Sequence, residues 1–265
     1  MPRTRSQRST SGLDETPSLQ KAAAFTGRAG LSYLFDNGVA PYVSYATAFS
    51  PQVGFDAGGS PFKPTTGEQT EAGIKYQMPN LPLLLTAAVF DIKQDNVLRT
   101  DPNNMAFQAA TGQVESKGLE LEAKLSLKQG VDLTAAYTHL NVVITQGNPD
   151  TTGNQFSGIP SNSFATFGKY TFQSGNPFEG LGVGLGARYI GASFGDDQNT
   201  FENSSLTLVD AMVDYDMGKL DRRFSGAYLR VNARNLFDKH YQSCQSGFCY
   251  AGERRQVIGS LSYRW

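Results

Sequence analysis

Two cysteines offer the first chemistry that this sequence can support. Cys244 and Cys249 are five positions apart. In an oxidising compartment such a pair forms a disulfide that pins a hairpin tip, with Cα atoms about 4.4–6.8 Å apart. Reduced thiols, or half of a metal site, are the alternatives. His139 and His240 are the only two histidines, which argues against a site with two cysteine and two histidine ligands.

Three aspartates share one face of a predicted strand near the end of the chain. Asp210, Asp214 and Asp216 are separated by even numbers of residues, so they point the same way from a strand. Side chains two residues apart on a strand are about 7 Å apart, which is too loose for a catalytic carboxylate pair. We expect these three to line a solvated wall.

Oxygen-bearing side chains also collect in the predicted long loops. Asp150, Asn154, Asp196 and Asp197 are of the types that ligate Ca²⁺. Their spacing matches no calcium-binding loop, and solvated loop residues are the simpler interpretation. We therefore predict no metal ligand and no resident cofactor.

Aromatic residues in or beside the same loops suggest binding rather than catalysis. Exposed rings can line a pocket for a bulky ligand, although packing between loops is the simpler explanation for any single ring. Phe248 and Tyr250 flank Cys249, and a disulfide there would hold both rings still. We predict Phe248 and Tyr250 as ligand contacts in an extracellular loop. The other rings are Phe55, Phe107, Phe156 and Phe201.

The composition excludes some classes of protein. The longest apolar patch, residues 81–90, is broken by Pro82 and Thr86, so no transmembrane helix is expected. A transmembrane barrel is allowed at the mean hydropathy of −0.35, because only alternate residues need to face lipid. Lys and Arg (23) nearly balance Asp and Glu (24), and the net charge of −1 gives no electrostatic case for a nucleic-acid partner.

The elements that must position these residues are strands, of which we predict about eleven. Most run for about 10 to 15 residues, roughly twice the usual length in globular proteins and enough to cross a bilayer at a tilt. They lie at residues 25–35, 39–49, 67–76, 83–94, 113–127, 131–143, 161–172, 181–194, 205–217, 226–235 and 254–265.

Apolar and polar residues alternate in several of these strands. Period 2 gives a strand one apolar and one polar face. We expect the apolar faces to meet lipid and the polar faces a wet lumen; this pattern alone leaves a soluble sandwich open. The lipid-facing set includes Leu121, Leu125, Leu229, Val231, Val257 and Leu261, and the lumen-facing set Glu120, Lys124, Arg230 and Asn232.

The predicted connections are alternately short and long. Residues 36–38 and 128–130 are tight turns, whereas residues 50–66, 95–112 and 236–253 are long loops. Outer-membrane barrels have short periplasmic turns and longer extracellular loops, whereas a sandwich has no reason to keep this order. We therefore predict an all-β, antiparallel transmembrane meander with no helix longer than two turns.

An odd count of strands would leave one sheet with unpaired edges, which hydrocarbon does not tolerate. Bacterial single-chain barrels have an even number of strands. We interpret residues 25–265 as about eleven strands of a 22-stranded barrel, the size class of plugged transporters.

The first 24 residues are predicted to be a disordered polar segment. Residues 1–20 are rich in Ser, Thr and Arg and contain no apolar stretch, so they are not a secretory signal peptide. We interpret them as the start of a truncated reading frame rather than as a basic arm.

Several stretches resemble the barrel of TonB-dependent siderophore receptors. Residues 25–35, 41–51, 67–76 and 115–122 resemble its middle strands. Residues 235–265 are the most specific piece: they begin with NLFDKHY, contain both cysteines and end with YRW. They are most similar to the ferrichrome-type, hydroxamate-siderophore branch, and the resemblance covers nearly the whole chain after residue 24.

The resemblance implies a receptor in the bacterial outer membrane that takes up ferric siderophores, driven by the TonB complex. In that family a plug domain fills the barrel, and a short segment before it contacts TonB. Neither matches residues of this chain, so we expect the plug domain to be absent and the chain alone not to transport. Outer-membrane lipid would surround the barrel. Trp265 would be the terminal aromatic that the barrel-assembly machinery reads.

Two other functions compete with this one. The chain could be a structural barrel fragment with no transport activity of its own. It could also be a hydrolase barrel, in which His139 would meet Asn141 and Ser163 from a neighbouring strand. No motif supports the hydrolase, so we predict that the chain is not an enzyme.

Overall fold

The computed structural model describes residues 3–11, 14–101 and 104–265, and strands make up most of them. Two short 3-10 helices, Met217–Lys219 and Arg222–Phe224, lie in one turn. The strands are β1 (Arg3–Ser11), β2 (Asp14–Ala24), β3 (Arg28–Ser32), β4 (Val39–Ser50), β5 (Thr65–Gln77), β6 (Leu83–Asp101), β7 (Asn104–Leu127), β8 (Val131–Gln146), β9 (Asn162–Thr171), β10 (Leu181–Ile190), β11 (Ser193–Phe194), β12 (Glu202–Asn203), β13 (Leu206–Asp216), β14 (Ala227–Arg234), β15 (Gln242–Gln245), β16 (Phe248–Ala251) and β17 (Gln256–Tyr263).

One antiparallel sheet of eleven strands dominates the structure. Its order is β3, β4, β5, β6, β7, β8, β9, β10, β13, β14, β17, so each strand pairs with the next in sequence. The predicted all-β meander is confirmed. The small pairs β11–β12 and β15–β16 belong to long connections, not to the sheet.

The prediction of a long loop at residues 95–112 is wrong. β6 and β7 continue into it and pair beyond the predicted ends, with Val97 opposite Thr111 and Arg99 opposite Ala109. Residues 95–101 contain neither Gly nor Pro, the residues that usually interrupt a ladder. The two strands therefore extend as a hairpin beyond the rest of the sheet.

The first 24 residues also differ from the expected disordered segment. β1 pairs with β2 in antiparallel register, with Arg3 opposite Ala24. Residues 1–2 and 12–13 of that segment lie outside the described residues. Backbone pairing does not require apolar side chains, and the search for apolar alternation could not find such a polar hairpin.

The register places the predicted apolar and polar sets on opposite faces of the sheet. Leu229 lies opposite Leu261, whereas Arg230 lies opposite Asp214. Leu229 is 42% exposed and Leu261 is 72% exposed. No second sheet packs against this apolar face in the described part of the chain. An apolar face without a protein partner fits lipid contact rather than a sandwich core.

Among the described residues, only six hydrophobic side chains are buried. Three of them, Val114, Val142 and Ile144, form one cluster.

No described helix is long and apolar enough to cross a membrane.

Connections of two kinds leave the sheet at its two ends. We call the end with the longer connections the long-loop end. It carries the β6–β7 tip and the connections 51–64, 147–161, 191–205 and 235–255.

Candidate functional site

A disulfide-bonded hairpin lies in the last connection of the long-loop end. Cys244 of β15 is directly opposite Cys249 of β16, and a disulfide joins them with Cα atoms 4.0 Å apart. This separation is slightly shorter than the expected range of about 4.4–6.8 Å. Ser246 and Gly247 form the turn with φ of 53° and 80°, as in a two-residue type I′ turn.

Phe248 and Tyr250 lie on the hairpin face that points away from the disulfide. Residues two apart in a strand point the same way, and Cys249 between them points the other way. Cys244 is 7% exposed, whereas Phe248 is 37% and Tyr250 is 65% exposed. The hairpin thus presents two rings to solvent; ligand contact by these rings stays a prediction.

Asn235 closes the root of the same connection. It is 3% exposed and adopts a φ of 48°. Its amide nitrogen donates to the carbonyl oxygens of Lys239 (2.9 Å) and Glu253 (3.0 Å), and its Oδ1 accepts from the N–H of Lys239 (2.8 Å). Its own N–H donates to Oδ1 of Asp210 at 2.9 Å. One side chain therefore joins both ends of the connection.

Asp238 and Arg254 brace this root from the solvent side. The Arg254 guanidinium donates to Asp238 through Nε (2.9 Å) and Nη2 (2.6 Å), and the N–H of Arg255 donates at 2.9 Å. These hydrogen bonds hold the pKa of the Asp238 carboxyl well below its usual range. Because the Arg254 side chain is 57% exposed, solvent screens the pair and its contribution to stability is small.

A buried charged group links four of the long-loop connections. We call Arg99, Phe156, Ser157, Asp197 and Ser246 the Arg99 junction. The Arg99 guanidinium donates to both Asp197 carboxylate oxygens (2.6 and 3.1 Å) and to Ser157 Oγ (2.6 Å). It also lies 3.9 Å from the ring centroid of Phe156. The N–H of Ser246, in the hairpin turn, donates to Ser157 Oγ at 3.0 Å.

The Asp197 carboxylate is fully engaged in this junction. Its Oδ1 also accepts from the N–H of Ser157 at 3.0 Å. Burial alone would raise the pKa of Asp197, but the hydrogen bonds from Arg99 and Ser157 outweigh burial and leave the pKa lowered. Asp197 therefore acts as the counter-ion of Arg99. Among the described residues no three His, Cys, Asp or Glu side chains group to hold a metal ion.

A small apolar cluster supports the same loops. Val114, Val142 and Ile144 are buried, and Phe156 and Ile159 of the β8–β9 connection pack against them. The connection also pairs with the edge of β8, because the N–H of Phe156 donates to the carbonyl of Val142 at 2.8 Å. The β8–β9 connection is thus folded back onto the sheet rather than extended into solvent.

The three aspartates of β13 do not form a catalytic group. Each has a different structural partner, as expected of a wall rather than of an acid–base pair. The partners are Arg188 for Asp210, Lys169 and Arg230 for Asp214, and the N–H of Gly218 for Asp216.

The histidines likewise lack a catalytic arrangement in the described part of the chain. Nδ1 of His139 lies 3.0 Å from Oδ1 of Asn162, and the hydroxyl of Tyr137 donates to the same oxygen at 2.8 Å. His240 is 4.0 Å from the Asp238 carboxylate on the exposed surface. Ser163 is not bonded to His139, so the hydrolase arrangement is not assembled.

Sequence reasoning missed Arg99 and Ser157 as site residues. Arg99 lay in a predicted loop, and its partner Asp197 is 98 residues away. The sequence alone favours a solvated loop residue at Asp197, with a calcium ligand as the alternative. No local pattern signals a junction among four separate connections, whereas the NLFDK run at Asn235 could have been noticed as a tight turn with a capping side chain.

Comparison with known proteins identifies the family. The family model described as "TonB dependent receptor-like, beta-barrel" matches residues 3–236. This match begins within β1, so the polar hairpin belongs to the matched region.

Curated relatives are receptors of the same kind. The chain is 40% identical over 247 residues to the ferrichrome outer membrane transporter/phage receptor of Escherichia coli K12, covering 91% of this chain and 32% of that protein. It is 39% identical over 238 residues to the ferrioxamine B receptor of Salmonella typhimurium, covering 89% of this chain and 33% of that protein. The chain therefore spans about a third of the length of these relatives.

Solved structures show the same fold. The siderophore receptor PiuA of Acinetobacter baumannii superposes with a TM-score of 0.73 at 25% identity, covering 98% of this chain and 39% of that one. The relatives are receptors and transporters, not enzymes. The eleven-stranded meander, the lipid-compatible face and these matches establish that the chain belongs to the TonB-dependent receptor family, as part of a β-barrel of the bacterial outer membrane.

Proposed function

We propose that this chain forms part of the barrel of a receptor that takes up ferric siderophores through the outer membrane, driven by TonB. The carrying observation is the 40% identity to a ferrichrome transporter over nearly the whole chain. The 39% identity to a ferrioxamine B receptor supports the same class of cargo. Energy coupling and the plug would come from parts of the receptor that this chain does not cover.

The long-loop end supplies the proposed ligand surface. Phe248 and Tyr250 are exposed on a hairpin whose strands are covalently joined. Rigid aromatic side chains offer large contact area at low cost in conformational entropy. A bulky iron chelate that enters from the extracellular side would meet these rings first.

The polar face of the sheet supports passage rather than permanent binding. Glu120, Lys124, Arg230 and Asn232 share the face opposite the apolar one. Asp214 joins Lys169 (2.7 Å) and Arg230 (3.3 Å) on that face. A charged wall of this kind suits a hydrated lumen that holds a polar plug.

A second candidate is a structural fragment with no transport of its own. The observation in its favour is that β3 and β17 lie at the two edges of the sheet. Unpaired backbone groups of an edge strand are costly in hydrocarbon. A chain with these edges needs further strands before it can close.

Uptake of radiolabelled ferrichrome and ferrioxamine B separates the two candidates. Cells without their own hydroxamate receptors would express either the complete receptor that contains this segment or the present chain alone, each with and without TonB. We expect TonB-dependent uptake with the complete receptor and none with the chain alone.

The outcomes are distinct. No uptake of either siderophore by a surface-exposed complete receptor would contradict the proposed cargo. TonB-dependent uptake by the chain alone would contradict the need for further strands.

A Phe248→Ala, Tyr250→Ala receptor tests the ligand surface: we expect weaker siderophore binding at normal surface expression.

A further inference from the structure

We propose that the Arg99–Asp197 pair is a positioning element: it holds four long-loop connections in a fixed arrangement and thereby fixes the position of the disulfide hairpin. Only its ligand readout rests on the proposed siderophore binding. The loops joined are the β6–β7 tip and the connections 147–161, 191–205 and 235–255.

The first support is the anchoring of Arg99. It lies on β6, a strand of 19 residues, and is opposite Ala109 of β7. Both strands are continuous with the membrane-spanning sheet, so the guanidinium is held on a rigid extension. The three other connections carry no strand of that length outside the sheet.

The second support is the quality of the ion pair. The side chains of Arg99 and Asp197 are 10% and 17% exposed, and the guanidinium binds both carboxylate oxygens. A bidentate, poorly solvated pair restricts geometry more than a single surface contact does. Removing either partner would leave the other charge buried and unpaired, which is strongly unfavourable.

Ser157 transmits this position to the hairpin. Its side chain is fully buried. Its Oγ accepts from Arg99 at 2.6 Å and from the N–H of Ser246 at 3.0 Å. Ser246 is in the turn that precedes Phe248. Two hydrogen bonds in series, through Ser157 Oγ, therefore connect Arg99 to the hairpin that carries the exposed rings.

A further set of hydrogen bonds joins the same connections without touching the pair. The N–H of Gly247 donates to the carbonyl of Gly195 (2.9 Å), and the N–H of Gly158 donates to the carbonyl of Phe194 (2.8 Å). The N–H of Cys244 donates to Oδ1 of Asn203 at 2.8 Å. These bonds between loops form only while the loops keep their relative positions, so their amide protons report on that position.

The test is hydrogen–deuterium exchange on the complete receptor in lipid, comparing wild type with Arg99→Met and Asp197→Asn. Either substitution changes the immediate surroundings of the Ser157 and Ser246 amides, so the exchange of these two amides does not decide the question. The deciding amides are those of Gly247, Gly158 and Cys244, which bond to atoms outside the pair. We expect all three to exchange about tenfold faster or more in both variants.

Three further variants control for misfolding and for local effects. The double variant Arg99→Met, Asp197→Asn leaves no buried charge unpaired, and we expect it to fold and still show the faster exchange. Lys219→Met breaks an exposed ion pair with Glu179 at the other end of the sheet, where the connections are short. It should leave the exchange of Gly247, Gly158 and Cys244 unchanged. Arg99→Lys keeps the charge but not the fork, so its exchange should be intermediate.

Unchanged exchange at Gly247, Gly158 and Cys244 in the folded double variant would overturn the proposal, whatever happens at Ser157 and Ser246. The ligand readout is separate: with ferrichrome as probe, the variants should release ligand faster. If the wild-type receptor binds no siderophore, the proposed function fails while the exchange result still decides the positioning role. If it binds and the variants release ligand at the wild-type rate although exchange is faster, the positioning of the rings is refuted.

Discussion

The sheet and the long-loop end are held together by different kinds of interaction. In the sheet, a backbone ladder joins eleven strands, and side chains such as Leu229 and Leu261 remain exposed on the apolar face. At the long-loop end, side chains do the joining, through the Arg99 junction, Asn235 and the small cluster around Ile144. In the described part of the chain no second sheet covers the apolar face of the main sheet, whereas the loops pack and bond against one another.

This contrast predicts where each kind of substitution is harmful. A charge is tolerated on one face of the sheet and not on the other, because the two faces meet different solvents. Loss of a polar side chain is tolerated in most of the loops but not where it satisfies buried groups. The predictions below follow that division.

The largest effect is expected from a charge on the lipid face of the sheet. Val231 lies opposite Val213 and Gly259 in the ladder. Val231→Lys should destabilise the barrel by about 2–4 kcal/mol, because lysine is costly near the bilayer midplane. Asn232→Lys, on the polar face one residue later, is the matched control and should change little. Unfolding of the complete receptor in lipid measures both; equal losses would refute the assignment of faces.

Asn235→Ala is the sharpest test of the loop root. The substitution leaves the carbonyls of Lys239 and Glu253 without their shared donor. We expect a loss of about 1–3 kcal/mol, the usual cost of unsatisfied buried polar groups. Asn203→Ala, which removes a link between two connections, is a useful comparison. A thermal shift for Asn235→Ala no larger than that of an exposed Asn80→Ala variant would contradict this role.

Removing the disulfide should have a smaller effect on global stability. The pair Cys244–Cys249 encloses a short loop, and the loop-entropy model assigns such a crosslink about 2 kcal/mol at most. We expect Cys244→Ser, Cys249→Ser to leave the sheet intact and to accelerate exchange in residues 242–251. The Arg99 junction is held by other contacts, so the amide of Ser157 should stay protected. Loss of protection at Ser157 would show that the crosslink, not the junction, organises the loops.

The smallest effect is expected from a change of pH, because it appears only in solutions more acidic than ordinary buffers. The pKa of Asp197 is lowered in the folded state, so its stabilising effect is fully present above the unfolded aspartate value of about 3.9. The effect is lost as the pH falls through the lowered folded value. The protection factor of the Gly247 amide, which is its exchange rate corrected for the intrinsic pH dependence of amide exchange, should therefore stay constant between pH 5 and 8 and fall only in stronger acid. Asp197→Asn should abolish that fall; a loss of protection near pH 6 in wild type would contradict it.

Much of the sheet followed from the order of residues, and most of the loop end did not. Strand positions were predictable because alternation and turn residues are local signals, as in residues 226–235 and 254–265. The extension of β6 and β7 was missed because polar residues such as Asn96 and Thr100 carry no alternation. The polar hairpin β1–β2 was missed for the same reason.

What the sequence determined by itself is the membrane-spanning part: period-2 strands, alternating short and long connections, and two faces of opposite polarity. These are properties of neighbours along the chain and need no knowledge of distant contacts. Only the tertiary structure decided that Arg99 meets Asp197 and Ser157, or that Asn203 bonds to Cys244. Such partners are 41 to 98 residues apart. Any of several loop polar groups could have paired, and the choice depends on where the sheet places the ends of its strands.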